Sequence, residues 1–464
     1  MTTRIKAAAW LSICFVLVAT TVRAGDRPHA WKAGVASVDT TPSKPIWMSG
    51  YASRKTPSEG VVHPLHAKAL ALADEQGHKV VIITADIIGF NRAFTQRVTD
   101  RLNQKHGLPR EDIVLFASHT HTGPMLGDTV DRMKAYGIDP EKAQNNVDYT
   151  KELEDKIVDI VGKALGKMKP ASLGFTVGRA GFAMNRREKT DKGFKIGVNP
   201  NGSTDKHVPV LVIDTDGKTM AVVFGYACHN TTLTGEMMKI SGDYAGFAQE
   251  QIEKAIPGSL AMFIVGCAGD ANPEPRGTLE QARQHGKELA DAVLSRLESK
   301  DGLEHLTGPL RTAYMETTLH FAGPTDRASY EQRLKEPNTG RQRHAKRIIE
   351  AIDNGETIRA EVPYPVQALG FGDHLTILGL GCEVVSEYSG RLQMELGEQG
   401  RSLWVAAYAN DVFGYIASVR VLLEGGYEGL EAYYSSTFPT PLRDDVEDTI
   451  VKTAREVAEK VQKP

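Results

Sequence analysis

Cysteine is scarce in this sequence, with four among 464 residues. Cys14 lies in an N-terminal apolar stretch, so three cysteines remain beyond it. An odd number excludes a fold in which every cysteine is paired in a disulfide framework. We therefore expect Cys228, Cys267 and Cys382 to be small buried packing residues, with one bridge between two of them as the alternative.

Excess positive charge and long apolar runs are also lacking. The chain has 55 Lys and Arg against 58 Asp and Glu, a formal net charge of −3, so no basic surface indicates a nucleic-acid partner. The N-terminal apolar stretch, Ala7 to Thr20, is shorter than the about 20 residues that a membrane span needs. At most, we expect peripheral contact with a membrane.

The N-terminus has the pattern of a secretory signal peptide. Arg4 and Lys6 precede the apolar stretch, and small residues follow it up to Ala24. We predict that residues 1–24 are a signal peptide cut after Ala24, with a transmembrane anchor as the alternative. Its removal takes away three positive charges and changes the net charge from −3 to −6. The predicted location is secreted or periplasmic.

Short apolar runs recur along the chain, each followed by small residues and then by a polar one. Runs of four to eight apolar residues indicate strands buried on both faces. Helical patterns lie between them, so we predict an α/β fold with a mixed, largely parallel sheet flanked by helices and a site at the carboxyl ends of the strands. The runs are "KVVIITAD" to Asp86, "IVLFASHTH" to His121, "AVVFGYACHN" to Asn230, "LAMFIVGCAGD" to Asp270, "LTILGLGCE" to Glu383 and "LWVAAYAND" to Asp411.

The helical patterns begin and end at recognisable residues, such as Asn91 before a helix and Gly107 after it. Ala183 to Lys206 is polar and aperiodic and is predicted to be a long loop, whereas Arg327 to Glu361 is predicted to be a helical excursion. Without repeats or a linker, residues 25–464 are predicted to form a single domain. The predicted helices are Arg92 to Lys105, Asp148 to Lys169, Gly246 to Ala255, Leu279 to Ser299, Val384 to Leu396 and Asp445 to Val461.

The segment "SHTHTGP", Ser118 to Pro124, contains two histidines with one residue between them. In an extended segment His119 and His121 point to the same side, and neutral imidazole is the commonest metal ligand in proteins. The pair alone is a weak signal for a metal site, and structural hydrogen-bonding histidines are the favoured alternative.

Two further strand ends add candidate ligands. His229 follows a buried run in "YACHNTT", and Glu383 does so in "LGCE". Two imidazoles and one carboxylate with an open position form a common hydrolytic zinc pattern. The alternative for Glu383 is a carboxylate favoured at a helix N-terminus.

The other histidines lie on charged segments and are predicted to be solvated. Tyrosines in "FGYIAS" and "GGYEG" are by default half-buried packing residues. The residues concerned are His106, His285, His344, Tyr415 and Tyr427.

These motifs, in this order, resemble those of the neutral/alkaline, non-lysosomal ceramidases, in their large N-terminal catalytic domain. "SHTHTGP" resembles the family's "SHTHSGP", "YACHNTT" its "FAxHxTS", and "GCE" its "PGE" without the proline. "NDVFGYIAS" resembles the family's "NxYxxYxTT", and the spacing from the second tyrosine of that motif to "YEG" is the same as in the family. "MNRR" resembles the family's "NRS". The resemblance covers roughly Gly34 to Phe438, with no counterpart expected for the family's C-terminal immunoglobulin-like domain.

The resemblance implies a zinc site and the residues around it. It assigns one Zn²⁺ to four ligands: His119, His229, Glu383 and Tyr415. His121 lies beside the metal and is expected to stabilise an oxyanion or move a proton. Arg186 and Tyr427 are expected to orient the substrate.

One departure concerns the family's "GDVSPN", which supplies a serine used as nucleophile or direct participant. This chain has "GDANPE", so Asn272 stands at the serine position, while Asp270 is kept. Asparagine is no acyl-accepting nucleophile, but its amide donates hydrogen bonds to an oxyanion. Asp270 is expected to orient a zinc ligand.

The sequence therefore predicts an exported zinc-dependent hydrolase that cleaves an N-acyl amide bond by metal-activated water. The expected substrate is a small-molecule or lipid N-acyl compound, ceramide-like or other, which would place the protein in lipid or sphingolipid metabolism. The alternatives are a non-catalytic zinc- or lipid-binding protein of the same fold and an amidohydrolase-type enzyme with two metals.

Overall fold

The computed structural model describes residues 30–130, 133, 138–299, 302–397 and 400–462. The signal peptide predicted for residues 1–24 lies outside the described residues. Within them, no helix combines the length and apolarity that crossing a membrane requires.

Strands and helices alternate along much of the chain. The strands are, in chain order, β1 (Trp31–Asp39), β2 (His66–Asp74), β3 (Lys79–Ala85), β4 (Ile113–Ala117), β5 (Lys169–Arg179), β6 (Ala183–Thr190), β7 (Gly193–Asn199), β8 (His207–Thr215), β9 (Lys218–Tyr226), β10 (Leu260–Val265), β11 (Ala271–Pro273), β12 (Glu304–Leu306), β13 (Leu310–His320), β14 (Glu361–Phe371), β15 (Leu375–Leu380), β16 (Glu383–Val384), β17 (Ser402–Ala406) and β18 (Tyr415–Ile416). The α-helices are α1 (Arg92–His106), α2 (Pro140–Gly166), α3 (Asp243–Ala255), α4 (Leu279–Ser299), α5 (Arg327–Arg333), α6 (Thr339–Asp353), α7 (Glu387–Leu396), α8 (Val419–Glu424), α9 (Gly426–Gly429) and α10 (Val446–Gln462).

The larger sheet has the strand order β10-β9-β8-β5-β1-β2-β3-β4, and β12 pairs with β5. The pairs β9–β10 and β3–β4 are parallel, whereas the pairs between them are antiparallel. The sheet curves so that β10 contacts β4. The mixed sheet flanked by helices is confirmed, with fewer parallel pairs than we expected. Strands covered on both faces are apolar throughout in either direction, so the apolar runs alone do not reveal strand direction.

A tight turn between β8 and β9 explains one of the antiparallel pairs. Asp216 and Gly217 connect these strands, and both have positive φ, 52° and 74°. A two-residue Asp-Gly connection of this kind favours a hairpin, because its backbone twist matches that of the paired strands. The turn residues therefore carry the information on direction that the apolar runs lack.

A second sheet, β13-β14-β15-β17, packs on the larger one. One hydrophobic cluster joins Met262 and Ile264 of β10 to Ile377 of β15 and Trp404 of β17. Helices α1 and α2 pack on the β1–β4 side of the larger sheet, α3 and α4 lie beside β10 and β5, and α10 covers β13 and β14. The helices thus flank the sheets, as the sequence predicted.

Helix α1 shows that the helix boundary signals were informative. The Asn91 side chain accepts a hydrogen bond from the Phe94 N–H at 2.9 Å, and Gly107 ends the helix with φ 67°. Helix α4 has the predicted bounds, and the helical excursion is present as α5 and α6.

Three predicted helices differ from the structure by three or more residues at an end, and the one predicted from Gly246 begins at Asp243. The helix predicted from Asp148 to Lys169 runs from Pro140 to Gly166, because Lys169 already belongs to β5. The helix predicted from Val384 begins only at Glu387, because Glu383 and Val384 form β16. Glu383 is therefore not a carboxylate at a helix N-terminus.

The prediction of a long loop from Ala183 to Lys206 was wrong. Strands β6 and β7 form an antiparallel hairpin there, and β6 also pairs with β11. The β7 side chains are largely solvent-exposed, so this strand lacks the apolar pattern by which the other strands were found. A β-bulge between Asn185 and Arg187 further interrupts the alternation in β6.

Two histidines expected to be solvated are buried. The His285 ring stacks on Phe182, and its Nε2 lies 2.7 Å from the Pro275 carbonyl oxygen. His344 Nε2 lies 2.9 Å from the Phe438 carbonyl oxygen. Each of the two lies on the inward face of its helix, and the charged residues next to it in the sequence point outward. His106 is exposed, as predicted.

The three cysteines beyond the N-terminal stretch have the predicted character. Cys228, Cys267 and Cys382 are buried and free. The alternative of a bridge between two of them is thereby excluded in this structure.

Candidate metal and catalytic site

The candidate site forms where the strand ends of the larger sheet meet the second sheet. His119 follows β4 and His229 follows β9, and a parallel bridge between Thr120 and Asn230 holds the two segments side by side. Because the curved sheet brings its edges together, histidines more than 100 positions apart in the sequence share one site.

The two histidines predicted as metal ligands are oriented by the backbone. The Nδ1 atoms lie 2.6 Å from carbonyl oxygens, that of Ile88 for His119 and that of Ala268 for His229. A carbonyl oxygen only accepts, so both Nδ1 atoms must carry the proton. The unprotonated Nε2 atoms are then directed into the site. Metal-binding histidines are commonly held in this way.

Glu383 completes the centre of this cluster. Its Oε2 lies 3.1 Å from Nε2 of His119 and 2.9 Å from Nε2 of His229. Two imidazole lone pairs facing a carboxylate oxygen repel one another unless a proton or a cation lies among them. These donors fit a metal ion, since imidazole nitrogen and carboxylate oxygen are common zinc ligands.

The pKa values of these groups reflect burial and mutual contact. Burial, with Arg186 nearby, lowers the pKa of His229 to about 3. Burial alone would raise the pKa of Glu383, but His119 and His229 outweigh it and hold that pKa well below its usual value. At neutral pH the site therefore contains an ionised carboxylate beside a neutral His229.

Tyr415 is brought to Glu383 by two very short strands. In the parallel pair β16–β18, Glu383 lies directly opposite Tyr415. The Tyr415 hydroxyl lies 3.2 Å from His229 Nε2 and accepts a hydrogen bond from Arg186 at 3.0 Å. Burial, with Glu383 nearby, raises the pKa of this hydroxyl well above its usual value. All four residues predicted as metal ligands thus converge.

His121 lies against the same cluster. Its Nε2 is 3.1 Å from Nε2 of His119, and the ligand atoms of His119, His121 and His229 all lie within 4.8 Å of one another. Burial lowers its pKa well below the usual value, and the neighbouring histidines add to this. Its Nδ1 is enclosed and has no hydrogen-bond partner among the described residues. His121 is therefore a neutral imidazole whose Nδ1 is free for chemistry or metal contact.

Gly50 makes room for the His121 ring. A Cβ at this position would lie 2.4 Å from His121 Nδ1, and the backbone has φ 95°. Any side chain here would collide with the ring, in a conformation that favours glycine.

Arg186 joins the two sides of the site. Its Nη1 donates to Asn272 Oδ1 at 3.2 Å, and its Nε donates to Glu428 Oε1 at 2.7 Å. The other oxygen of Glu428 accepts from Arg187 at 2.7 Å. The Tyr427 ring lies edge-on to that of Tyr415, with 5.4 Å between centroids. Arg186 and Tyr427 therefore lie beside the cluster, where the resemblance had placed them.

Asn272 has a defined orientation. Its Oδ1 accepts from Arg186 and from the Thr231 hydroxyl at 3.2 Å. Because a guanidinium only donates, the atom facing Arg186 must be the amide oxygen. No described residue accepts a bond from Nδ2, which is left to donate elsewhere.

Asp270 lies behind the site. It accepts hydrogen bonds from the Ser386 N–H at 2.7 Å and from Asn185 Nδ2 at 2.9 Å. Burial raises its pKa, and the Ser386 N–H partly offsets this. Asp270 thus anchors the segments that carry Glu383 and Arg186, and its role in orienting a zinc ligand stays a prediction.

Sequence reasoning missed several residues that build the site. Glu428 directly follows Tyr427 in "YEG", and Thr231 follows His229 by two positions in "YACHNTT". The motifs therefore contain both residues, although neither was predicted as part of the site. Ser386 and Tyr408 carried no signal, although the Tyr408 ring centroid is 4.4 Å from that of His119.

The fold and the site define a mixed α/β protein with a candidate metal centre at strand ends. Residues 31–320 match the family described as "Neutral/alkaline non-lysosomal ceramidase, N-terminal". This chain belongs to that family. Glu383, Tyr415 and Tyr427 lie beyond the matched residues.

Individual relatives agree with this membership. The chain is 25% identical over 278 residues to neutral ceramidase B of Dictyostelium discoideum, covering 54% of this chain and 36% of that protein. It is 23% identical over 293 residues to the neutral ceramidase of Mycobacterium tuberculosis, covering 59% of this chain and 45% of that one. The alignments thus span less than half the length of either relative.

A solved structure shares the fold. The neutral ceramidase from Pseudomonas aeruginosa superposes with a TM-score of 0.69 at 19% identity, covering 94% of this chain and 75% of that one. At this identity the likeness concerns the fold alone.

Proposed function

We propose that this protein is an exported, zinc-dependent hydrolase that cleaves the amide bond of an N-acyl compound, ceramide-like or other. The observation that supports it most is the position of Glu383 Oε2, 3.1 and 2.9 Å from the Nε2 atoms of His119 and His229. The relatives are neutral ceramidases, which supports the amide bond as the target.

His119, His229, Glu383 and Tyr415 would hold the zinc. Bound there, zinc would polarise the scissile carbonyl and lower the pKa of a water molecule towards about 7. Water then adds across the amide bond, giving a free fatty acid and an amine. Segments from residue 119 to residue 427 all contribute to the site, which supports one catalytic domain.

His121 is proposed to accept or return a proton during the reaction. Its neutral ring has an enclosed Nδ1 without a partner among the described residues. A neutral imidazole has a lone pair with which to accept a proton, as general acid–base catalysis requires. Arg186 and Tyr427 border the cluster from the other side and are proposed to orient the substrate.

Asn272 is proposed to donate a hydrogen bond from its Nδ2 to the oxyanion that forms on the substrate carbonyl. The hydrogen bonds to its Oδ1, from Arg186 and Thr231, fix the amide in the orientation that leaves Nδ2 available. A positioned donor of this kind stabilises the transition state without forming a covalent bond. Water is therefore the proposed attacking group.

The alternative of a non-catalytic zinc- or lipid-binding protein is favoured by Asn272, which replaces the family's serine. An amidohydrolase-type enzyme differs from our proposal in binding two metals. Purified mature protein should be analysed for metal and then incubated with a panel of N-acyl substrates, including ceramide, while released fatty acid is measured.

We expect one zinc per chain and fatty-acid release from at least one substrate. Zinc without hydrolysis across the panel would favour the binding protein, whereas two metals per chain would favour the amidohydrolase type. Cell fractionation with cleavage-site sequencing tests export, and an uncut N-terminus in the cytoplasm would contradict it.

A further inference from the structure

The side of the site next to His121 carries a second group of cationic residues. The Tyr51 ring meets the His121 ring edge-on, with 5.1 Å between their centroids. The Tyr51 hydroxyl accepts a hydrogen bond from Arg276 Nη2 at 3.0 Å. The guanidinium of Arg54 lies over the Tyr51 ring, 4.9 Å from its centroid. The Tyr51 side chain therefore lies between Arg276 and His121, a proposed catalytic residue.

Arg276 has no anionic partner at ion-pair distance in the part of the chain that the structure describes. Over the described parts of the chain, no carboxylate oxygen lies within the 4.0 Å of an ion pair with it. Its Nε is enclosed without a hydrogen-bond acceptor among those residues, although the side chain as a whole is partly exposed. By contrast, Arg186 and Arg187 share the carboxylate of Glu428. A cation beside a substrate site and without a counter-charge favours an anionic ligand.

The neighbouring charges neutralise Arg276 only in part. Arg54 donates to the carbonyl oxygens of Ser49 and His121, both at 2.6 Å, and so adds positive charge. The carboxylate of Asp243 lies beyond ion-pair distance, and its oxygens accept from the backbone N–H groups of Leu233 and Tyr244.

The backbone around Arg276 is held in place. The Gly277 N–H donates to the Thr232 carbonyl oxygen at 2.8 Å, and the Pro275 carbonyl oxygen contacts His285. Asn272 lies four positions earlier in the same segment. One rigid segment thus presents both the proposed oxyanion donor and the unpaired guanidinium.

We propose that Arg276 binds an anionic group of the substrate, so that the substrate is an N-acyl compound that carries a carboxylate, as an N-acylated amino acid does. This inference rests on the proposed amide hydrolysis. The planar guanidinium matches a carboxylate with two parallel hydrogen bonds. A neutral N-acyl amide offers no charge to this residue.

The test compares two substrates of similar size, N-palmitoylglycine and N-palmitoylethanolamine. The zinc-loaded wild-type protein should have the higher kcat/KM for the acylglycine by about 10- to 100-fold, the range for a hydrogen-bonded charge pair. Arg276→Met should abolish this preference by raising KM for the acylglycine, with the ethanolamide unaffected. Arg276→Lys should retain part of it. Arg283→Met, an exposed arginine on α4, serves as the matched control and should behave as wild type.

A third substrate, an ethanolamide whose acyl chain ends in a carboxylate, identifies the half of the substrate that carries the charge. A preference for it that Arg276→Met removes also supports Arg276 as the anion site. Equal losses on all three substrates in Arg276→Met, or no preference in the wild type, would overturn the inference.

Absence of hydrolysis would count against the proposed function and still leave Arg276 testable. In that case, calorimetry measures the binding of the same two compounds to the zinc-loaded protein and tests whether Arg276 binds the carboxylate. Tighter binding of the acylglycine that Arg276→Met removes supports the inference, and equal binding refutes it. Thermal unfolding of each variant shows that it is folded.

Discussion

The two sides of the site are built on different principles. The histidine wall, His119, His121 and His229, follows buried strands, and backbone carbonyl oxygens orient His119 and His229. The arginine wall, Arg186, Asn272, Tyr415 and Glu428, comes from short strands, a polar hairpin and a single helical turn, and its side chains orient one another. Backbone carbonyl oxygens persist when a side chain is changed, whereas in a network of charges each substitution leaves other groups unpaired. A substitution in the histidine wall should therefore disturb mainly its own position. A substitution in the arginine wall should disturb the whole network of hydrogen bonds and ion pairs.

Glu383, which touches both walls, should give the largest effect. Glu383→Ala removes the carboxylate between the two Nε2 atoms, so bound zinc should be lost and kcat/KM should fall by at least about 1,000-fold. Metal analysis and fatty-acid release measure this. Glu395→Ala, which removes a partly exposed carboxylate of α7 that pairs with Arg391 and Arg455, is the control. A Glu383→Ala protein with stoichiometric zinc would refute the ligand assignment.

Glu428 tests whether the arginine wall behaves as a unit. Glu428→Gln leaves the buried guanidinium groups of Arg186 and Arg187 without their shared charge, and breaking such a pair costs about 3 kcal/mol of the free energy of unfolding. Glu424→Gln, a more exposed partner of Arg187, should cost much less. Urea unfolding measures both. Equal small losses would show that the network does not act as a unit.

Asn272 separates chemistry from metal binding. Asn272→Ala should lower kcat by about 100-fold, as expected when one oxyanion donor is lost, and should leave the zinc content unchanged. Asn272→Asp keeps an acceptor for Arg186 but replaces the Nδ2 donor by an anionic oxygen, so it should be at least as damaging. Single-turnover kinetics measure the rate of the chemical step in each variant. An unchanged kcat in Asn272→Ala would exclude the proposed role of Asn272 as an oxyanion donor.

The smallest effect is expected at a charge pair outside both walls. His78 Nε2 lies 2.9 Å from Asp112 Oδ1, and this hydrogen bond raises the pKa of His78 to about 9. The folded state thus holds the proton more tightly than the unfolded chain, whose histidine pKa is about 6.5. The stabilisation is complete below pH about 6.5 and is lost as the pH rises through 9.

The His78 ring is about one-third exposed, so solvent screening should limit its contribution to about 1 kcal/mol. His78→Gln should therefore lower the free energy of unfolding at pH 6 and leave it nearly unchanged at pH 10. Urea titrations at the two pH values measure this. A loss of equal size at both would show that the pair acts through packing rather than charge.

The difference between the walls also explains what could be predicted from the sequence. Six apolar runs predicted six of the strands, β3, β4, β9, β10, β15 and β17. The polar residues that follow these runs predicted His119, His229 and Glu383 as candidates, because the end of an apolar run is visible in the local sequence. Tyr415 needed the family resemblance, since β16 and β18 have two residues each and show no period. The role of Glu428 depends on contacts with Arg186 and Arg187, more than 200 positions away, which no local pattern encodes.

The buried thiols described above have a consequence for how the protein matures. Burial raises the pKa of Cys228, Cys267 and Cys382 well above the usual value, so each remains a protonated, unreactive thiol in the folded state. No described cysteine has to find a partner, so folding should depend neither on an oxidant nor on a disulfide isomerase. The mature chain should consequently reach its native state as readily in a reducing cytoplasm as in an oxidising compartment.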